Sequence, residues 1–288
     1  MKIFCFGFGQ VARHFVKKLV KENVKFELNI TTRNKSASLK FDKIEYNAFQ
    51  FSKERKDKNV IKKIFEASHI LISVPPVEEQ DIVIENFKEV IRETKTKWIT
   101  YLSATSVYGN HNGAWVDENS ETNPISMNGK SRLSAEREWL AFSKEYNLPT
   151  QILRLSGIYS NDNNILKRLL SGEARIVKKK DHFFSRIHIE DIANILFLSL
   201  NKFKRNEIFN ISDDKPASQE ELAIFGSKLL KIDTPKLLDI DDLEEGMLKD
   251  FYRDSKKVDN KKMKRFFNYK LLYPTFKEGL IKIFNQII

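Results

Sequence analysis

Lys2-Ile3-Phe4-Cys5-Phe6-Gly7-Phe8-Gly9-Gln10-Val11-Ala12 is the stretch that decides the fold. Ile3 to Phe6 is a continuous apolar run, as a strand covered on both faces requires. From Gln10 the apolar period changes: Val11, Phe15 and Leu19 fall on one helical face, with Val16 and Val20 beside it. Between strand and helix lies Gly-x-Gly-x-x-Ala. Gly7 permits a tight turn, Gly9 lets a pyrophosphate approach the backbone, and Ala12 lets the helix pack close to the sheet. The first N–H groups of the helix face the same anion. Strand, turn and helix in this order predict a dinucleotide site built on Gly7, Phe8, Gly9, Gln10 and Val11.

Outward from this unit, strand and helix signals alternate. Phe26 to Thr32 reads as a strand and Ile44 to Tyr46 as a short one. Val60 to Phe65 reads as a helix, and Ile70 to Val74 as a strand stopped by Pro75-Pro76. Ile82 to Ile91 reads as a helix, Trp98 to Ser103 as a strand, Leu133 to Tyr146 as a helix, and Thr150 to Leu155 as a strand. The alternation predicts an α/β fold of the Rossmann type, a doubly wound parallel sheet with helices on both faces. Later, Ile165 to Leu170 and Ile189 to Leu200 read as helices and Glu207 to Ile211 as a strand. Ser218-Gln219-Glu220-Glu221 is a capping box opening a helix to about Leu230. The last ~60 residues, with their weaker and mixed periods, read as a small helical lobe. The expected division is a nucleotide lobe of residues 1–155 and 186–212 and a smaller C-terminal substrate lobe of 156–185 and 213–288, joined in one compact unit.

Composition narrows the function classes. Of 288 residues, 41% are hydrophobic and 31% charged, which is a globular balance and not a disordered one. Cys5 is the single cysteine, so no internal disulfide can form. No apolar run approaches the ~20 residues that cross a bilayer, and Met1 to Phe6 reads as a first strand rather than a leader. A soluble, cytoplasmic protein with no membrane partner is expected. The net charge of +11 comes from lysines spread end to end, with short runs at Lys178-Lys179-Lys180 and Lys261-Lys262. Neither run lies in a recognisable nucleic-acid-binding motif, so no nucleic-acid partner is expected. His14, His69, His111 and His182 are scattered without metal-ligand spacing, and no metal is expected.

The end of the second strand bears on the choice of cofactor. An NAD site carries an acid about 20 residues on, bonded to the ribose hydroxyls. Here the strand ends Ile30-Thr31-Thr32-Arg33-Asn34-Lys35, without an acid. Arg33, with Lys35 near it, can fork onto a 2′-phosphate, so NADP is preferred over NAD.

Several further segments resemble one family together. They are Ser73-Val74-Pro75-Pro76, Leu102-Ser103-Ala104-Thr105-Ser106-Val107-Tyr108-Gly109, Gly113-Ala114-Trp115-Val116-Asp117-Glu118, Leu153-Arg154-Leu155-Ser156-Gly157-Ile158-Tyr159, Ser185-Arg186-Ile187-His188-Ile189-Glu190-Asp191-Ile192 and Tyr273-Pro274-Thr275-Phe276-Lys277-Glu278-Gly279-Leu280. With the glycine turn, they resemble the extended and atypical short-chain dehydrogenase/reductases, the NAD-dependent epimerase/dehydratase family. The resemblance runs nearly end to end. It implies a cofactor lobe, a smaller lobe that closes on substrate, and cofactor contacts at Gly7, Gly9, Gln10, Arg33, Ser73, Val74 and Pro75. Leu102 and Ser103 would lie beside the nicotinamide.

The chain departs from the family at its chemistry. The usual tyrosine, with a lysine four residues on, falls at Asn128 and Arg132, and the usual serine or threonine falls at Ala104. An amide has no titratable proton, and arginine stays charged, so it can position a ribose or a phosphate but not relay a proton. The remaining catalytic candidates are Tyr108, Ser103, Thr105 and Arg132, with Ser106 beside them. Tyr108 can supply a phenol or pack below the site, and Arg132 can bridge to the cofactor ribose or lie in a salt bridge on the helix face. Arg186 and His188 fall where the resemblance implies substrate contact, and an alternating stretch puts them on one face. That pair suits an anionic small-molecule substrate, a nucleotide sugar or a carboxylate; the other reading is a structural histidine and a surface arginine. Asp117 and Glu118 read as solvated or capping carboxylates.

Two functions stay open. One is an NAD(P)-dependent oxidoreductase or epimerase, in which the cofactor carries the hydride chemistry. The other is a catalytically silent NADP-binding sensor or partner-binding protein. A homodimer through the helices at Ile82–Ile91 and Leu133–Tyr146 is one assembly the resemblance allows.

Overall fold

The apolar run at the N-terminus forms strand β1 (Lys2–Phe6), and Ile3 through Phe6 have no exposed surface. A computed structural model describes residues 1–77, 80–240 and 252–287. After β1 come α1 (Gln10–Lys21), β2 (Glu27–Thr32), β3 (Ala37–Phe41), β4 (Ile44–Gln50), α2 (Val60–Phe65), β5 (His69–Ile72), α3 (Ile82–Arg92) and β6 (Trp98–Ala104). Then follow β7 (Trp115–Val116), α4 (Met127–Glu145), β8 (Thr150–Leu155), β9 (Gly157–Tyr159), α5 (Ile165–Leu170), β10 (Ile176–Lys178), β11 (Arg186–His188), α6 (Ile189–Ser199) and β12 (Glu207–Ile211). The described chain ends with α7 (Gln219–Leu230), β13 (Leu237–Asp239), β14 (Lys257–Val258), α8 (Lys261–Phe267) and α9 (Phe276–Ile287). Among the described residues, no helix is long and apolar enough to cross a membrane.

Eight strands form one sheet in the order β12-β8-β6-β5-β1-β2-β4-β3. Strands β6, β5, β1, β2 and β4 run parallel, and β3 is antiparallel to β4. The α/β fold and its large, mostly parallel sheet agree with the sequence reading.

The chain divides into two compact units. The first holds residues 1–103, 130–154 and 193–208, and the second holds 104–129, 155–192 and 209–288. Residues 104–129, 155, 186–192 and 209–212, expected in the nucleotide lobe, cluster with the second unit. The core of the first is apolar and aromatic: Phe4, Phe6, Phe87, Ile99, Tyr101 and Trp139 lie in one cluster. The stripe Val11, Ala12, Phe15, Val16 and Leu19 buries one face of α1. The second unit has its own core, in which Leu166 and Leu169 of α5, Leu222 and Ala223 of α7, and Phe276, Leu280 and Ile283 of α9 share one cluster. As the capping box predicted, Ser218 Oγ accepts the Glu221 N–H at the start of α7.

Several elements differ from the sequence reading; besides the short strands β7, β9 and β10, which were unread, three bear on the argument. β4 runs on to Gln50, and β3, unread in the sequence, pairs with it through a turn at Asp42, whose φ is 51°. The alternation Ala37, Leu39, Phe41 was present, but β3 is an outer strand paired on one side and Leu39 remains 44% exposed. α4 begins at Met127 and not at Leu133. In its first turn Ser126 Oγ accepts the Gly129 N–H at 3.2 Å, and a Cβ on Gly129 would lie 2.7 Å from the Ser106 carbonyl oxygen. The glycine is required by close approach. The C-terminal residues carry α8 and α9 as expected but also β13 and β14; residues 241–251 of that region lie outside the described ones.

Candidate functional site

Because β6, β5, β1 and β2 are parallel neighbours, their C-terminal ends line one edge of the first unit's sheet. Gly7 follows β1, Ser73 follows β5, Leu102 and Ser103 close β6, and Arg33 follows β2. In such sheets ligands bind beyond these ends. Gly7 turns the chain at φ +83°, and its N–H donates to Thr31 Oγ1 at 2.8 Å. Thr31, which the sequence reading missed, thus pins the turn from β2; nothing in a strand's period singles out that hydroxyl. A Cβ on Gly7 would lie 2.9 Å from Val74 Cγ1, so the glycine turn rests on the end of β5, where the Ser73 N–H donates to the Phe6 carbonyl.

Gly9 is the N-cap of α1 with extended backbone, and no side chain caps the helix. A Cβ on Gly9 would meet no atom of the described residues within 4 Å. The first N–H groups of α1 therefore face open space, the arrangement an anion needs. Gln10 is exposed, whereas the Val11 side chain is buried, so Val11 can offer only its backbone N–H. The Phe8 ring packs against Phe41 and Tyr46, each with centroids 5.3 Å away, and Arg13 lies over it at 5.7 Å. Val74 is half-buried, Pro75 is exposed, and Arg33 is exposed on the loop after β2.

At the end of β6, Arg132 Nη1 donates to the Leu102 carbonyl at 2.8 Å. Of the two readings for Arg132, a bond to strand backbone replaces the surface salt bridge. Ser103 is 3% exposed, and its Oγ has no hydrogen-bond partner among the described residues. A buried hydroxyl in that state suits a polar ligand group. Two further residues hold this region. Asp81 Oδ1 caps α3 by accepting from Val83 N and Ile84 N, and its Oδ2 accepts from Trp139 Nε1 of α4 at 3.0 Å. Burial pushes the Asp81 carboxyl above its usual range, against these hydrogen bonds. Glu136 of α4 takes a two-pronged bond from buried Arg154 of β8, with Nη2–Oε2 at 2.7 Å.

In the second unit, Thr105 to Tyr108 form a single 3₁₀ turn. Tyr108 is fully buried, and its hydroxyl donates to Asn210 Oδ1 at 2.7 Å. Of the two readings of Tyr108, this hydrogen bond and the full burial of the ring support packing. Glu118, expected to be solvated or capping, accepts the Asn210 N–H at 2.8 Å and so fixes the same asparagine. Asp117 caps its own turn, bonding Asn119 N and Ser120 Oγ. Thr105 is 9% exposed, Ser106 half-buried and Asn128 exposed in the first turn of α4.

Arg186 and His188 lie on β11, paired with β9, and both are buried. Arg186 Nη1 donates to the carbonyls of Phe184 and Ala217 at 3.0 and 2.9 Å, and burial brings its pKa down to about 10. His188 Nδ1 accepts the Glu190 N–H at 3.2 Å, and its ring lies 4.0 Å from that of Tyr273 and 5.0 Å from that of Tyr159. His188 is thus a capping and packing residue, which corrects the expected open basic pair. Arg186 keeps one nitrogen, Nη2, without a hydrogen-bond partner among the described residues.

Residues 79–212 match the family model "NAD dependent epimerase/dehydratase family". A protein of Methanocaldococcus jannaschii described as "Putative UDP-glucose 4-epimerase" is 27% identical over 243 residues, covering 75% of this chain and 78% of that one. Among solved structures, a functionally unknown conserved protein from Silicibacter pomeroyi superposes with a TM-score of 0.86 at 28% identity, over 99% of this chain and 98% of its own. The UDP-glucuronic acid 4-epimerase from Bacillus cereus in complex with NAD superposes with a TM-score of 0.78 at 18% identity, over 100% and 99%, and shares the fold. The glycine turn, the sheet order and these likenesses point the same way: the chain is similar to the NAD-dependent epimerase/dehydratase family across its matched segment, residues 79–212, and shares the fold of its solved relatives.

Proposed function

We propose that the protein is an NAD(P)-dependent oxidoreductase or epimerase acting on a small, polar, anionic substrate, a sugar nucleotide or a carboxylate. The observation that carries this reading is the open space at Gly9, in front of an uncapped helix and beside a turn that only glycine fits. The residues present fit a dinucleotide. The N–H groups of Gly9, Gln10 and Val11 would hold the pyrophosphate, and the Leu102–Ser103 strand end would face the nicotinamide. When bound, that ring supplies a reversible hydride acceptor. Arg132, anchored to the Leu102 carbonyl, has donors left to orient a ribose hydroxyl. Ser103 supports a hydrogen bond to the reacting oxygen, since its hydroxyl is buried and unmatched. Thr105 is a second candidate hydroxyl. Arg186 Nη2 supports recognition of an anion by the second unit. With Asn128 and Arg132 at the usual tyrosine and lysine positions, the proton has to move through substrate, water or one of these hydroxyls.

The family's name and the Bacillus cereus complex point to NAD as the class of cofactor. The exposed Arg33 and the absence of an acid after β2 support the 2′-phosphorylated form. The replacements Ala104, Asn128 and Arg132 also support a second reading, a silent NADP-binding sensor whose partner affinity follows the cofactor.

Titration of the purified protein with NADPH and with NADH, followed by nicotinamide fluorescence, tests the site. Tighter NADPH binding that Arg33→Ala removes is the expected result; no binding of either would overturn the proposal. A panel of sugar nucleotides and carboxylates, read at the nicotinamide absorbance, then separates the two functions. Binding without turnover, together with a partner captured only in the presence of NADPH, favours the sensor.

A further inference from the structure

The connection from β2 to β4 is unusual for parallel neighbours, which ordinarily need a dozen or more residues and a helix between them. Here residues 33–43 suffice, because the chain adds β3 on the far side of β4 and returns through a tight turn. Residues 33–36 must therefore cross the end of β4. Four hydrogen bonds fasten that crossing. The Asn34 N–H donates to Thr32 Oγ1 at 3.2 Å, and Gln50 Nε2 donates to the Arg33 carbonyl at 3.4 Å. The Gln50 N–H donates to Ser36 Oγ at 2.9 Å, and the Ser36 hydroxyl in turn donates to Asp57 Oδ2 at 2.5 Å. Asp57 is itself fixed: its Oδ1 accepts the Asn59 N–H at 2.9 Å, and its own N–H donates to the Gln50 carbonyl. One hydroxyl, on Ser36, thus joins the loop to β4 and to the chain beyond it.

The same hairpin reaches the glycine turn through the rings of Phe41 and Tyr46 on Phe8. The Arg33 side chain, by contrast, is exposed and makes no hydrogen bond or ion pair among the described residues; only its backbone is tied down. An arginine in this state is loaded on a fixed base with its fork free, which lowers the ordering cost of meeting an anion.

We propose that Ser36 and Asp57 are positioning residues that set the choice of cofactor, by holding the loop that carries Arg33 across the end of β4. The inference rests on the dinucleotide site proposed above and adds residues to it that touch no ligand. The Ser36 hydroxyl is the chief cause that holds the Asp57 carboxyl below its usual range, so the clip is charged and intact at neutral pH.

The experiment compares dissociation constants for NADPH and NADH in the full-length protein and in Arg33→Ala, Ser36→Ala, Asp57→Ala and Ser36→Thr variants, with thermal midpoints alongside. The two nucleotides differ in one phosphate, so their affinity ratio ignores general loosening of the fold. Arg33→Ala is expected to collapse the ratio. Ser36→Ala and Asp57→Ala are expected to lower it about five- to tenfold, an ordering cost moved from folding to binding, while NADH affinity stays within about twofold. Ser36→Thr, which keeps the hydroxyl, is expected to restore it. If Arg33→Ala collapses the ratio but Ser36→Ala and Asp57→Ala leave it unchanged, the clip is overturned and the cofactor reading stands. If Arg33→Ala leaves the ratio unchanged, Arg33 does not read the phosphate and the clip falls with it. Failure of the wild-type protein to bind either nucleotide overturns both.

Discussion

Gly9→Val separates the needs of the fold from those of the ligand. Gly9 has φ −76° and ψ −171°, a conformation any residue adopts, and an added Cβ meets nothing within 4 Å. Folding should therefore ignore the valine: the expected change is within about 0.5 kcal/mol, or a small gain from a stiffer unfolded chain. Binding should not ignore it, because the new methyl groups occupy the space through which a pyrophosphate reaches the helix N–H groups. A loss of tenfold or more in dinucleotide affinity, about 1.4 kcal/mol, is expected. Gly7→Ala should do the reverse. It places a side chain at φ +83° with its Cβ 2.9 Å from Val74 Cγ1, and a strained position of that kind costs about 1–3 kcal/mol. At roughly 2–4 °C per kcal/mol for a domain of 150–250 residues, its melting temperature should fall clearly. Urea unfolding and nicotinamide fluorescence on the two variants make the comparison. A folded Gly9→Val protein that binds like wild type would refute the assignment of the pyrophosphate to this turn. A Gly9→Val protein that loses several kcal/mol would show that the space is not open.

Tyr108→Phe deletes only the hydroxyl that Asn210 accepts. It should cost about 1–2 kcal/mol of stability and leave turnover unchanged; a large loss of turnover in a fully stable variant would restore the catalytic reading of Tyr108. Gly109→Ala should prevent stable folding, because φ is +69° and a Cβ would run into the Asn123 carbonyl, a clash with backbone that cannot rotate away; soluble expression and circular dichroism check it. His182 is 3% exposed, between the rings of Phe184 and Tyr252, and burial pushes its pKa down to about 4. The unfolded chain, near 6.5, binds the proton more readily, so the contribution of His182 is complete above 6.5 and is lost as pH falls toward 4. At pH 5 the loss should reach about 2 kcal/mol, and His182→Phe should flatten that part of a stability–pH curve.

How far the sequence could be read follows from where each signal is stored. The Gly7–Ala12 turn, the helix cap at Ser218 and the strands around β1 were legible because each depends on residues close together in the chain. For Tyr108 and His188 the sequence left a packing reading and a functional reading side by side. Both depend on partners distant in sequence: Asn210 takes the Tyr108 hydroxyl, and Tyr273 covers the His188 ring. Asp81 escaped notice for the same reason, since its Trp139 partner is 58 residues away.

Residues 33–43 carry almost none of the core: every one is exposed except Phe41, which is half-buried. Substitutions there leave β1, β5 and β6 untouched, so drift in this segment escapes the purge that removes destabilising changes elsewhere. If Arg33 and the Ser36 clip set the cofactor preference as proposed, that preference is consequently among the properties that descendants of this chain can alter most freely. A library confined to these eleven positions can explore it without first stabilising the scaffold.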